Sequence, residues 1–96
     1  MAVYMIRRPF PGATAETLEA AGYRSEACIP FYPGMRWLST YWDARSEETI
    51  CFYAARSEEE IRRHADRAHL PCGEIRPVDV LRDAGAQPEA AAPLAG

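Results

Sequence analysis

The stretch at residues 50–71, ICFYAARSEEEIRRHADRAHLP, changes its hydrophobic pattern in the middle. Its first six residues are β-branched, aromatic or small, which is typical of a strand. The SEEE that follows is a helix start, with Ser57 as the N-cap and Glu60 three residues further on. This stretch therefore predicts strand 3 over residues 49–55 and helix 2 up to about residue 68, where HLPCG ends it.

The segments on either side complete an α+β order of elements. AVYMIR at residues 2–7 predicts strand 1, and residues 13–29 predict helix 1 after the turn RPFPG. The aromatic-rich residues 35–43 predict strand 2, and the short link to strand 3 predicts an antiparallel hairpin. EIRPVDVL at residues 74–81 predicts strand 4, in which Pro77 indicates a sheet edge. The order β-α-β-β-α-β is typical of a ferredoxin-like fold, a four-stranded antiparallel sheet with two helices on one face.

Length and composition limit the domain organisation and the class of protein. The 96 residues suit one domain, which we expect at residues 1–82, and the Ala/Pro/Gly-rich residues 83–96 predict a disordered tail. A net charge of −3 argues against nucleic-acid binding. The sequence shows no apolar run approaching the roughly 20 residues of a membrane span, and its N-terminus lacks a signal-peptide pattern, so we expect a cytoplasmic protein.

The three cysteines, Cys28, Cys51 and Cys72, are odd in number and far apart in the sequence. They form no CxxC pair, so reduced thiols are expected and a disulfide framework is not.

The alternation of side chains along a strand assigns residues to the two faces of the predicted sheet. In strand 3, the uniformly apolar set is predicted to face the helices and comprises Ile50, Phe52 and Ala54. The other set is predicted for the open face and comprises Thr49, Cys51, Tyr53 and Ala55. Strand 2 carries aromatic residues in both of its sets. We therefore expect both faces to be covered, the open one by a second copy in a sheet-mediated homodimer.

His64 lies on the apolar stripe of helix 2. Ile61, His64, Ala65 and Ala68 follow the spacing i, i+3, i+4, i+7, so the imidazole is predicted to point towards the sheet or the edge of the core. There it could bind a metal, bind a polar substrate group or move a proton near neutral pH. The alternative is a packing role, with the imidazole hydrogen-bonded to a backbone carbonyl or a strand side chain.

Besides the thiols of Cys28 and Cys72, three residues have side chains that suit a divalent transition metal, and they are the predicted ligands: His64, His69 and Cys51. His64 and His69 are five residues apart, which is not the i, i+4 spacing of two ligands on one helical face, and the pattern matches no strong metal signature. His69 has the alternative role of a cation at the helix C-terminus. Cys51 has the alternative role of a small buried hydrophobe.

Three blocks of the sequence resemble a family of small bacterial proteins: GMRWLSTYWD, ICFYAARSEEEIRRHADRAHLP and EIRPV, in this order. The family is known through a nickel-binding protein with a ferredoxin-like fold that forms homodimers. The resemblance covers about residues 3–80. It implies the fold and a homodimer, and a divalent metal with Ni²⁺ first, but it assigns no ligand. The glycine that the family usually has before Leu-Pro is His69 here.

Three functions follow as alternatives. The first is a small divalent-metal-binding protein, nickel being the leading ion, that acts as a homodimer. The second is a small-molecule-binding protein or enzyme with a pocket between helix 2 and the sheet. In that pocket His64 would be the acid/base group, and polar substrate groups would be bound by Tyr53, Tyr41, Trp37 or Arg36. The third is a structural interaction module without a site.

Overall fold

Strands and helices follow one another along the chain in the predicted order β-α-β-β-α-β. The structure, a computed structural model, describes residues 1–83, so the predicted tail from residue 84 onwards lies outside the described residues. The elements are β1 (Ala2–Pro9), α1 (Ala15–Cys28), β2 (Arg36–Asp43), β3 (Glu48–Ala55), α2 (Glu58–Ala68) and β4 (Ile75–Val78), with a 3₁₀ turn at Ile29–Phe31. β4 ends three residues before the predicted boundary. Neither helix in residues 1–83 is long and apolar enough to cross a membrane.

The four strands form one antiparallel sheet in the order β2-β3-β1-β4. This order and the two helices confirm the predicted ferredoxin-like α+β fold. Pro77 lies in the edge strand β4, where the missing N–H costs least. The β2–β3 pairing shifts between Trp37 and Ser39, and this bulge changes which β2 side chains share a face with those of β3.

Side-chain caps fix the start of each helix. At the start of α1, the side chains of Thr14 and Thr17 each accept a hydrogen bond from the backbone N–H of the other residue. At α2 the hydroxyl of Ser57 accepts a hydrogen bond from the Glu60 N–H at 3.1 Å, as the capping signal predicts. The Glu60 carboxylate accepts from the Arg56 N–H, one residue before the predicted donor.

The C-terminus of α2 explains why glycine would suit position 69. His69 has φ 54° and ψ 48°, the left-handed conformation that commonly ends helices and favours glycine. The imidazole of His69 is exposed and lies at the helix end rather than on the buried stripe.

The helix-covered face of the sheet carries the main core. Tyr4 and Ile6 of β1, Cys51 and Tyr53 of β3, and Ile61 of α2 are buried there. The predicted faces of β3 are therefore wrong, because Cys51 and Tyr53 face the helices while Ile50 and Phe52 lie on the opposite face. Both sets are largely apolar, so alternation alone does not choose between them. The hydroxyl and thiol groups of the inward set find hydrogen-bond partners on the helix side.

The opposite face of the sheet, here called the open face, has no helix over it and is largely apolar. It carries half-buried side chains from the central strands and more exposed ones from β2: Val3, Met5, Ile50, Phe52, Leu38 and Tyr41. The rings of Tyr41 and Phe52 meet edge to face with centroids 6.2 Å apart. This face has a broad shallow hollow, and residues 80 and 81, which follow β4, line part of it.

Candidate functional site

A cleft lies between α1 and strands β2 and β3, and we call it the α1 cleft. It consists of an inner hollow of about 60 Å³ and an adjoining outer hollow of about 170 Å³, which share Gly22, Ser25, Thr40 and Tyr53. Gly22 borders open space in both hollows, since a Cβ added there would meet no atom within 4 Å. The pocket predicted from the sequence lies instead under the other helix, α2.

Arg8 lines the inner hollow and is the most unusual group in it. Only 2% of the Arg8 surface is exposed to solvent. Nη1 donates to the Pro71 carbonyl at 3.0 Å, but Nη2 has no hydrogen-bond partner in the described structure. No carboxylate within residues 1–83 forms an ion pair with it. Leaving a buried charge uncompensated costs on the order of several kcal/mol, so this arrangement calls for an explanation.

A chain of hydrogen bonds runs along the strand wall of the cleft. Trp37 Nε1 donates to the hydroxyl of Thr40 at 2.9 Å, and that hydroxyl donates to Cys51 Sγ at 3.4 Å. The thiol in turn donates to the Thr49 hydroxyl at 3.7 Å. The hydroxyl hydrogen of Thr49 is then the last donor in the chain. Thr49 is directly opposite Arg8 in the β1–β3 pairing, so the two donors are neighbours on the same face.

Tyr53 and Ser25 close the cleft where β3 meets α1. Their hydroxyl groups share a short hydrogen bond. Burial raises the pKa of the Tyr53 phenol above its ordinary value, and the Ser25 hydroxyl and the nearby Arg8 guanidinium only partly oppose this. Tyr53 is therefore a neutral phenol at the cleft wall at every ordinary pH.

His64 points into the protein, as its place on the apolar stripe of α2 predicts. It is fully buried, and its Nε2 donates to the Ser25 carbonyl at 2.9 Å. In a continuing helix that carbonyl would accept from the Ile29 N–H, which instead donates to the Glu26 carbonyl. His64 thus satisfies a carbonyl released at the end of α1 and ties α2 to α1.

The environment of His64 keeps the imidazole neutral. Burial lowers its pKa below the ordinary value, the hydrogen bond to Ser25 opposes this, and the Arg8 charge adds to the lowering. Its ring packs against Tyr32 and Tyr53, with centroids 5.9 and 5.5 Å away. Nδ1 has no partner among the described groups. His64 does not line the α1 cleft, so it would not contact a ligand bound there.

The other residues predicted for a site fall into two groups. Cys51, Tyr53 and Trp37 line the α1 cleft. Tyr41 and Arg36 are exposed on β2, with Tyr41 on the open face. The predicted ligands His64, His69 and Cys51 do not come together, and residues 1–83 contain no group of three or more His, Cys, Asp or Glu side chains placed to hold a metal.

Sequence reasoning missed Arg8, Ser25 and Thr40. A signal for Arg8 exists, because Tyr4, Ile6 and Arg8 alternate along one strand and therefore share a face. The prediction ended strand 1 at residue 7 and so left Arg8 in the turn. Ser25 follows Leu18 and Ala21 at helical spacing, which indicates its inward direction but not its partner. Thr40 carries no comparable signal, since its place depends on the bulge in β2.

Fold and site together define a small ferredoxin-like α+β protein with a partly polar cleft beneath its first helix. The chain belongs to the family described as nickel responsive protein SCO4226-like, which matches residues 4–78. In fold it is similar to the crystal structure of SCO4226 from Streptomyces coelicolor A3(2), with a TM-score of 0.75 and 23% identity over 84% of this chain and 100% of that one. No curated protein matches it.

Proposed function

We propose that the protein binds a small organic molecule in the α1 cleft. The observation that carries this proposal is the make-up of the cleft. Polar groups of the sheet line one side, and the apolar side chains of Leu18, Ala21 and Phe10 line the other. Small-molecule sites combine an apolar lining with a few fixed polar groups in this way. We propose binding without acid/base catalysis, because His64 lies behind the wall formed by Ser25 and Tyr53.

Filling the cleft should abolish binding without harming the fold. Gly22→Leu places a side chain into open space, and it removes a helix-interior glycine that costs about 0.5–1 kcal/mol relative to alanine. Ala20→Leu adds the same side chain on the exposed side of α1 and is the matched control. The probes are acetate, isobutyrate and benzoate with their three amides, titrated into ¹⁵N-labelled protein and followed by amide chemical shifts.

We expect at least one probe to shift the amides of residues 22, 40 and 53 and to bind the Gly22→Leu protein at least tenfold more weakly. Ala20→Leu should bind as the unaltered protein does. If no probe of either kind perturbs the cleft, or if Gly22→Leu binds normally, the proposed function is wrong.

Nickel binding is a second candidate function, favoured by the family match. We propose His69 as its imidazole ligand, since that side chain is exposed whereas His64 and Cys51 are buried and already hydrogen-bonded. Imidazole suits Ni²⁺. Because one copy of the described structure assembles no three-ligand group, the remaining ligands would come from a second copy or from water.

Replacing His69 with glycine should remove nickel binding while preserving the fold. Glycine fits the left-handed conformation at this position, so His69→Gly deletes the imidazole without straining the backbone. Calorimetric titration with Ni²⁺, Zn²⁺ and Cu²⁺ should show binding tighter than 0.1 mM, about 5.5 kcal/mol, lost in His69→Gly and kept in Cys51→Ser. Weaker binding of all three ions would exclude this function, and binding retained in His69→Gly would exclude the ligand.

We further propose that the protein acts as a homodimer in the cytoplasm. The apolar open face supports the homodimer, since contiguous apolar surface of this kind marks an interaction site. The three cysteines are unpaired, which suits a reducing compartment.

A further inference from the structure

We propose that the ligand of the α1 cleft is a small carboxylate with an apolar body, and that Arg8 and Thr49 bind its carboxylate group. This inference rests on the proposed function, since it names the class of molecule that the cleft accepts. It is carried by the charge, the hydrogen-bond donors and the dimensions of the inner hollow.

The charge of the inner hollow is positive and uncompensated. Arg8 brings a guanidinium group, which carries a positive charge in proteins. Nη1 donates to the carbonyl of Pro71, the guanidinium lies close enough to the neutral phenol of Tyr53 to influence it, and neither group neutralises the charge. Among the described residues that line the two hollows only Glu26 is acidic, and it lines the outer hollow and is exposed to solvent. An anion in the inner hollow would supply the missing charge.

The donors of the inner hollow match a carboxylate. Nη2 of Arg8 has no partner within residues 1–83, and Thr49 beside it ends the hydrogen-bond chain that begins at Trp37. A carboxylate has two acceptor oxygens and no donor of its own, so it can accept from both groups. Hydrogen bonds between ionised partners are roughly twice as strong as neutral ones. A neutral amide would leave the charge of Arg8 unpaired.

The size and lining of the cleft restrict the rest of the ligand. The inner hollow of about 60 Å³ has room for a carboxylate, and the outer hollow continues from it. Beside the polar groups lie Phe10, Leu18 and Leu70, which offer an apolar wall. A compact aliphatic or single-ring acid fits this arrangement. Inorganic phosphate fits it less well, because it has no apolar part and one guanidinium does not balance a dianion.

Pairs of probes that have the same shape but differ in charge test the ligand class. Benzoate against benzamide, and isobutyrate against isobutyramide, differ mainly in the charge of the head group. In the full-length protein we expect each acid to bind at least tenfold more tightly than its amide, with inorganic phosphate weaker than both acids. Amides binding as tightly as acids would overturn the inference while leaving the proposed function intact. Phosphate binding more tightly than the acids would also overturn it.

Variants of the two donors test the assignment of residues. Arg8→Met keeps an unbranched apolar stem, removes the charge and should abolish the preference for acids, while Arg8→Lys should keep part of it. Thr49→Val keeps the shape and removes one donor, and should weaken acid binding about threefold or more without changing amide binding. Should Arg8→Met fail to fold, Arg8→Lys and Thr49→Val carry the test. An undiminished preference in Arg8→Met or in Thr49→Val would overturn the assignment.

Thermal unfolding separates a ligand-binding Arg8 from a structural one. If Arg8 is kept for an anion, removing the buried charge should leave the melting temperature of the ligand-free protein unchanged or raise it by about 5 °C. Benzoate should then raise the melting temperature of the unaltered protein and have no effect on Arg8→Met. A fall of more than 5 °C in ligand-free Arg8→Met would show a structural role and overturn the inference.

Discussion

Replacing His64 with alanine should lower the free energy of unfolding by about 3 kcal/mol. Two losses add together. The Ser25 carbonyl at the end of α1 loses its donor in a dry environment, and the space of the imidazole between Tyr32 and Tyr53 becomes a cavity. Urea denaturation followed by circular dichroism should show a lower midpoint with an unchanged slope. A loss below about 1 kcal/mol would contradict the role of His64 as the tie between the helices.

His64→Gln is the informative control. Its terminal amide keeps an N–H donor near the position of Nε2, so we expect it to lose less stability than alanine or leucine. His64→Leu fills most of the space but supplies no donor, and it isolates the contribution of the hydrogen bond. Equal losses in the glutamine and leucine variants would show that volume alone matters at this position.

The stability that His64 provides depends on pH, and the sign of this dependence follows from the burial of its imidazole. The pKa of His64 is lowered in the folded protein, so between that pKa and the ordinary value of about 6.5 the unfolded chain binds a proton that the folded protein does not. This part of the stability should therefore be complete well above pH 6.5 and be lost as the pH drops below 6.5 through the lowered pKa of the folded protein. His64→Gln should lack this component of the slope. A slope unchanged by the substitution would show that other groups cause it.

The fold was predictable because several local signals agree. The capping residues Ser57 and Glu60, the strand before them and the i, i+3, i+4 stripe containing His64 all indicate the same β-α unit. The faces of β3 were not predictable in this way. Both alternating sets are apolar enough for a core, and the choice depends on hydrogen-bond partners in α1 and β2 that only the tertiary structure provides.

The candidate site was predictable only in part, for a related reason. Tyr53 and Cys51 were recognised as chemically interesting, but on the wrong face, and Trp37 joins them through the bulge in β2. The inward direction of His64 was correctly inferred from helical spacing, while its partner, a carbonyl freed at the end of α1, has no sequence signature. Arg8 was missed because the turn prediction placed the end of β1 two residues too early.

Replacing Phe52 with glutamate should convert the proposed dimer into a monomer. Phe52 is a half-buried ring at the centre of the open face, paired across strands with Met5 and Ser39 and in contact with Tyr41. Burying its charge against a second copy would bring two carboxylates into an apolar interface without partners, which costs several times the roughly 1.4 kcal/mol that changes an equilibrium tenfold. We therefore expect the dimer to weaken by more than a hundredfold.

Sedimentation velocity from low to high micromolar concentration measures this shift directly. The unaltered protein should sediment with twice the chain mass and Phe52→Glu with the chain mass. Ala20→Glu, which adds the same charge on the exposed side of α1, should remain dimeric. If the unaltered protein is a monomer throughout this range, the homodimer is excluded. If Phe52→Glu still dimerises, the open face is not the interface.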